Sequence, residues 1–143
     1  MKKSSLFVCL ISALVMHGSW VSTAVAEDDR EAIFVSREQR DLVLEDMRNF
    51  LVAVQDIVLA MADGDMATVS DVARAMGPGK GRGMGMGMDM PMEFRQMGRG
   101  THVAFVELAQ AADMGSEGVI ADLGTLMSNC TGCHVTYKFV IKQ

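Results

Sequence analysis

From Ser36 onward, apolar residues recur along the chain at helical spacing. Leu44, Met47, Leu51, Val54, Val58 and Met61 follow at intervals of 3, 4, 3, 4 and 3, and Phe50 and Ile57 widen the stripe. That period predicts a helix over about 36–62 with one side apolar. Ser36, with Gln39 three residues later, supplies a capping box. Asp63-Gly64-Asp65 closes the helix and offers a cap for the next. A second segment, about 65–76, places Met66, Val69, Ala73 and Met76 on one side and stops at Gly77-Pro78-Gly79, which cannot continue a helix. A third runs from Pro91 or Glu93 to Asp113, with Gly98 and Gly100 as a point of interruption. Its stripe is His102, Phe105, Ala109 and Ala112. A fourth, about 117–141, carries Ile120, Leu123, Met127, Cys130, His134 and Tyr137, again at 3, 4, 3, 4, 3. No stretch shows sustained strand alternation. The expected fold is all-α, an antiparallel four-helix bundle formed by residues 27–143.

Two segments stand outside that pattern. Residues 77–92 are too rich in glycine for a helix and read as a flexible crossover loop. Residues 1–26 open with Lys2 and Lys3, continue through the apolar run Leu6 to Met16, and close on Ala24-Val25-Ala26. This is the pattern of a secretory signal peptide cleaved after Ala26. The apolar run falls short of the roughly 20 residues that span a bilayer. Export would place the protein in the periplasm, and Cys9 would leave with the peptide. The removed segment holds two lysines and no acid, so the formal charge moves from −5 to −7. So acidic a chain is a poor partner for nucleic acid.

Removal of Cys9 leaves Cys130 and Cys133, spaced C-x-x-C and followed directly by His134. A thioredoxin-type dithiol belongs at a helix N-terminus in a βαβ setting, where the dipole lowers a thiol pKa. This pair lies late in a helix, and no βαβ pattern surrounds it. Zinc takes four ligands as a rule; here the donors are two thiols, the adjacent His134 and the distant His102. Covalent haem attachment accounts for every residue. Thiols at i and i+3 stand on one side of a helix and can add to two vinyl groups along one porphyrin edge. The next histidine can then bind iron from the proximal side.

The motif's place near the C-terminus, continuing as His134-x-x-Tyr137-Lys138, resembles cytochrome c′ and its low-spin relatives, the class II c-type cytochromes. The stretch "AFVELAQAADMGSEGVIADLGTLMSNCTGCHVTYK" looks like the last two helices of that family. The resemblance implies a four-helix bundle with one haem c near one end, thioether bonds from Cys130 and Cys133, and His134 as proximal iron ligand. The chain departs from the family in having Lys138 where arginine is common, and in its Met/Gly-rich loop. Lysine does not reproduce the planar guanidinium fork.

The other side of the iron decides between two functions. A sixth ligand suits electron transfer, whereas an open site behind an apolar side chain suits a diatomic gas. In an antiparallel bundle the first helix passes His134 at the level of Leu44, Met47 and Leu51. Met47 lies on the stripe, and in low-spin relatives of cytochrome c′ a first-helix methionine is the ligand. Five-coordinate iron behind Leu44, Met47 or Leu51 is the second arrangement, and ligation by His102 the third. Arg48 is a candidate partner for a haem propionate. The alternating Met84, Met86, Met88, Met90 and Met92 raise a separate reading, because thioethers select Cu(I); a plain linker is the simpler one. The sequence therefore predicts a periplasmic monohaem electron carrier and not an enzyme, with redox proteins as partners; the resemblance to class II cytochromes implies pairing into a homodimer. An NO- or CO-binding protein and a copper-binding protein are the alternatives.

Overall fold

The computed structural model describes residues 27–79, 90–115 and 117–143. In chain order the elements are β1 (Glu31–Val35), α1 (Arg37–Ala62), α2 (Met66–Ala75), α3 (Met92–Asp113), α4 (Val119–Thr136) and β2 (Tyr137–Ile141). The described residues are thus mostly helical, with four helices as the periodicity predicts. To these they add a small parallel sheet absent from the sequence-based expectation. Residues 1–26, expected from the sequence to be a signal peptide, and loop residues 80–89 lie outside the described residues.

The start of α1 is set by local chemistry. The Ser36 hydroxyl accepts from the Gln39 amide and the Gln39 side chain accepts from the Ser36 amide, completing the capping box. Asp65 caps α2 in the same way through the Thr68 amide. Between them Gly64 takes φ +73°, a conformation open to glycine without strain. α3 runs unbroken through Gly98 and Gly100, so the expected interruption does not occur.

α1 packs on α2, α2 on α3, and α3 on α4. The shared core contains Ala53, Ile57, Val69, Ala73, Phe105, Leu108, Ala109, Ala112, Leu123 and Leu126. Enclosing a side chain such as Ile57 or Leu108 stabilises the fold by about 1.5–3 kcal/mol. The Arg74–Asp113 ion pair ties the end of α2 to the end of α3 at the surface.

The predicted stripe of α1 is rotated in the fold. Val43, Ala53, Ile57 and Ala60 are buried, whereas Leu51 is 70% exposed and Val58 is exposed as well. From Phe50 to Ala62 this helix is polar only at Gln55 and Asp56, so periodicity alone leaves its rotation open. The alanines settle it, because small side chains let the neighbouring helices approach more closely. The same holds on α4, where Val119, Leu123 and Leu126 are buried and the predicted Ile120 and Met127 are exposed.

The fourth helix also ends earlier than its periodicity suggests. At Tyr137 the backbone turns extended, with φ −120° and ψ 149°. Residues 137–141 then pair in parallel with residues 31–35, Glu31 opposite Tyr137 and Val35 opposite Ile141. Aromatic and β-branched Phe139, Val140 and Ile141 suit a strand, and β1 offers them a partner. Ile33 and Val35 are each 2% exposed. With Val43, Met90 and Phe94 they form a second core cluster, against which Met47, Cys133, Tyr137, Phe139 and Ile141 pack. His134 consequently sits in the last turn of α4 and not two turns from its end.

Candidate functional site

Beside the second cluster lies a cavity of about 340 Å³ lined by residues of α1, α3, α4 and both ends of the described chain. Cys133 and His134 enter it from the last turn of α4, and Tyr137, Lys138 and Phe139 from β2. Leu44 and Met47 face it from α1. Phe94 of α3 meets Tyr137 edge-on at 5.6 Å and Phe139 at 5.7 Å, which closes an aromatic wall. Arg30, Arg40 and Lys138 supply three cations to the lining and Asp28 one carboxylate.

Each local element places its side chain for a reason. Arg40, Leu44 and Met47 are spaced 4 and 3 on α1, so the helix turns all three to one side. Cys130 and Cys133 are free thiols one turn apart on α4. Burial pushes both thiols up, and the proximity of Cys130 pushes Cys133 further. A dithiol built for disulfide exchange has the opposite shift. Burial, followed by the carboxylates of Glu31 and Glu93, pushes the Tyr137 phenol up as well.

The His134 side chain is exposed, and its ring makes no hydrogen bond to another described residue. Its main-chain carbonyl is held instead. Arg30 donates from one guanidinium nitrogen to the His134 oxygen at 3.1 Å and to the Tyr137 oxygen at 3.3 Å. Asp28 grips the same guanidinium through Nε at 2.8 Å and Nη2 at 2.9 Å. Lys138 donates to the Asp28 main-chain carbonyl and lies 3.9 Å from its carboxylate. Hydrogen bonding from Arg30 is the main reason the Asp28 carboxyl is held down at about 2.

The sequence-predicted residues separate clearly. Cys133, His134, Leu44 and Met47 line one cavity, with Cys130 one turn behind on the same helix. Leu51 does not line it and points to solvent. His102 is buried elsewhere: its Nδ1 donates to the Met76 carbonyl at 2.6 Å, and its ring meets Phe50 edge-on at 4.9 Å. Phe50 in turn stacks on Phe105 of the helical core. Arg48 is exposed and outside the lining; the α1 arginine at the cavity is Arg40, two turns earlier. Of the methionine series, Met84, Met86 and Met88 lie outside the described residues. Met90 is buried in the second cluster and Met92 is exposed.

Sequence reasoning missed Asp28, Arg30, Arg40, Phe94 and Phe139. Arg40 was findable, since it stands seven residues before Met47 on the same side of α1. Arg30 carried no local signal, because its partner His134 is 104 residues away.

Among the described residues no group of three or more His, Cys, Asp or Glu side chains converges to hold a metal ion directly. Cys130, Cys133 and His134 instead follow one another along the last two turns of α4. No helix among the described residues is long and apolar enough to cross a membrane. Comparison with protein-family models, with curated proteins and with solved structures returns no match to this chain.

Proposed function

We propose that this chain is a monohaem c-type cytochrome of the class II kind, an electron carrier that works in the periplasm after removal of residues 1–26. The observation that carries the reading is the convergence of Cys133, His134 and Met47 on one cavity, from opposite ends of the sequence. The residues present fit the group. Cys130 and Cys133 would hold haem through thioether bonds and His134 would bind its iron from α4. The Met47 thioether lies on the α1 side. Bound haem supplies a one-electron couple at iron.

The chain's own residues do the rest. Leu44, Phe94 and Phe139 give the cavity an apolar wall against which a flat ring can pack. Arg30, Arg40 and Lys138 give its margin positive charge suited to carboxylates. The fold proposed for the whole is an antiparallel four-helix bundle with haem on the C-terminal helix, here extended by the β1–β2 pair. The outward side of α1, where Leu51, Val52, Val58 and Leu59 are exposed, suits a second copy of the chain. Redox proteins are the expected exchange partners.

The test is mass and extraction. Protein exported by cells with haem-attachment machinery should weigh one haem more than the chain beginning at Glu27, and acid–organic extraction should leave that haem on the protein. Cys130→Ala or Cys133→Ala should weaken or abolish attachment. Wild-type protein that releases all its haem into the organic phase would sink the proposal.

A further inference from the structure

The last four carbonyls of an α-helix have no amide partner within the helix. In α4 the Cys133 oxygen receives the Tyr137 amide. Beyond Tyr137 the chain runs extended along β1, so no later amide folds back to the His134 oxygen. That oxygen is met by Arg30, from the opposite end of the chain. The guanidinium uses its whole fork: Nε and Nη2 on Asp28, Nη1 on the carbonyls of His134 and Tyr137. A cation at the end of α4 also opposes the negative end of the helix dipole.

We propose that residues 28–35 form a brace for the last turn of α4, in which Arg30 is a positioning residue for His134. The main chain of a residue fixes the direction of its Cα–Cβ bond, so a clamp on the His134 carbonyl limits where the imidazole can swing. The imidazole ring itself has no hydrogen-bond partner among the described residues, so this backbone clamp is the restraint the structure supplies. Where an outer partner holds the ring's second nitrogen it sets orientation and basicity together; a main-chain clamp acts on orientation alone. The sheet makes the clamp rigid: five residue pairs join β1 to β2, and the Lys142 amide extends the contact to the Val35 carbonyl at 2.9 Å. Lysine at position 30 would keep the charge but lose the fork that bridges carboxylate and carbonyls.

As a statement about a haem ligand the proposal rests on the function proposed above, so its test reads both. Arg30→Gln, Arg30→Lys and the charge control Arg48→Gln are compared with wild type by intact mass, ferric electron paramagnetic resonance, midpoint potential and amide hydrogen exchange. Arg30→Gln should displace the ferric g-values, lower the potential through loss of a nearby cation, and speed exchange of the β2 amides about tenfold while α1–α3 stay protected. Arg30→Lys should recover part of the potential but not the g-values, and Arg48→Gln should match wild type in both. Wild-type g-values in Arg30→Gln would overturn the positioning role, even with a lowered melting temperature, and leave the haem reading standing. If wild-type protein carries no attached haem, the haem reading fails. The brace is then judged on the haem-free protein, where unchanged His134 ring shifts and β2 exchange in Arg30→Gln would overturn it.

Discussion

Ile57, Phe105, Leu108 and Leu126 are wholly enclosed, between helices that meet through Ala53, Ala73, Ala109 and Ala112. Nearer the start of α1, Met47, Cys133 and Tyr137 are only partly covered and border a cavity with aromatic walls and a cationic margin. One helix serves both regions, its Ala53–Ala60 half closing the first and its Leu44–Met47 turn opening onto the second. In the closed cluster small residues draw helices together. In the open one Phe94, Phe139 and the β1–β2 pair enclose a volume and leave it accessible. The enclosed core and the open cavity thereby lie in different regions of the molecule, and substitutions should separate their effects.

The largest expected effect lies in the closed cluster. Phe105→Ala should cost about 3–5 kcal/mol in denaturant unfolding, while the visible spectrum of the remaining folded protein stays that of wild type. A changed spectrum would show that the two regions are not independent.

At the cavity the balance should reverse. Met47→Ala and Met61→Ala each remove a partly covered methionine from α1, at the low end of the buried-Met range, about 2 kcal/mol. Ferric wild-type protein should be low-spin, with a weak sulfur-to-iron band in the far red. Met47→Ala should turn it high-spin and quick to bind CO, whereas Met61→Ala should leave the spin state alone. Wild-type protein that is already high-spin would favour the gas-binding alternative.

Ser36→Ala tests the junction between β1 and α1. Loss of the capping box should destabilise by about 1 kcal/mol, measurable by thermal unfolding, with the spectrum unchanged.

The smallest effect concerns Asp28. Its carboxyl is lowered from the ordinary 3.8 to about 2, chiefly by hydrogen bonding from Arg30. A depressed carboxyl stabilises the fold fully above its unfolded value, and that contribution fades as pH falls through the folded one. Wild type and Asp28→Asn should therefore differ most above pH 4 and converge toward pH 2 in acid unfolding curves. Because Asp28 is exposed the difference will be small, and parallel curves across that window would show that the pair does not brace the fold.

Much of this was legible in residues that act on their neighbours. The helix boundaries near 36–62, 65–76 and 91–113 followed from caps, glycines and period, each a matter of a few adjacent residues. So did the alignment of Cys130, Cys133 and His134; the placing of Leu44 and Met47 at their level rested instead on an assumed antiparallel bundle and a longer fourth helix than the one that forms. Less was legible where the sequence offered equivalent choices. From Phe50 on, α1 is apolar on nearly every side, so its pattern could not say that Ala53 and Ala60 would face inward and Leu51 outward. His102 fitted an apolar stripe equally well as ligand or core residue, and only the Met76 carbonyl and Phe50 ring beside it place it in the core.

The sequence by itself determined that four helices form, where three of them start and stop, and which thiols and imidazole share the end of the last. Those outcomes depend on hydrogen bonds and side-chain spacing within a turn or two of the chain. Tertiary structure alone decided that residues 137–141 leave the helix to pair with residues 31–35, that Arg30 reaches the His134 carbonyl, and that Arg40 and not Arg48 faces the cavity. A parallel strand pair joins residues 31–35 to residues 137–141, and nothing within a turn or two of either strand specifies its partner.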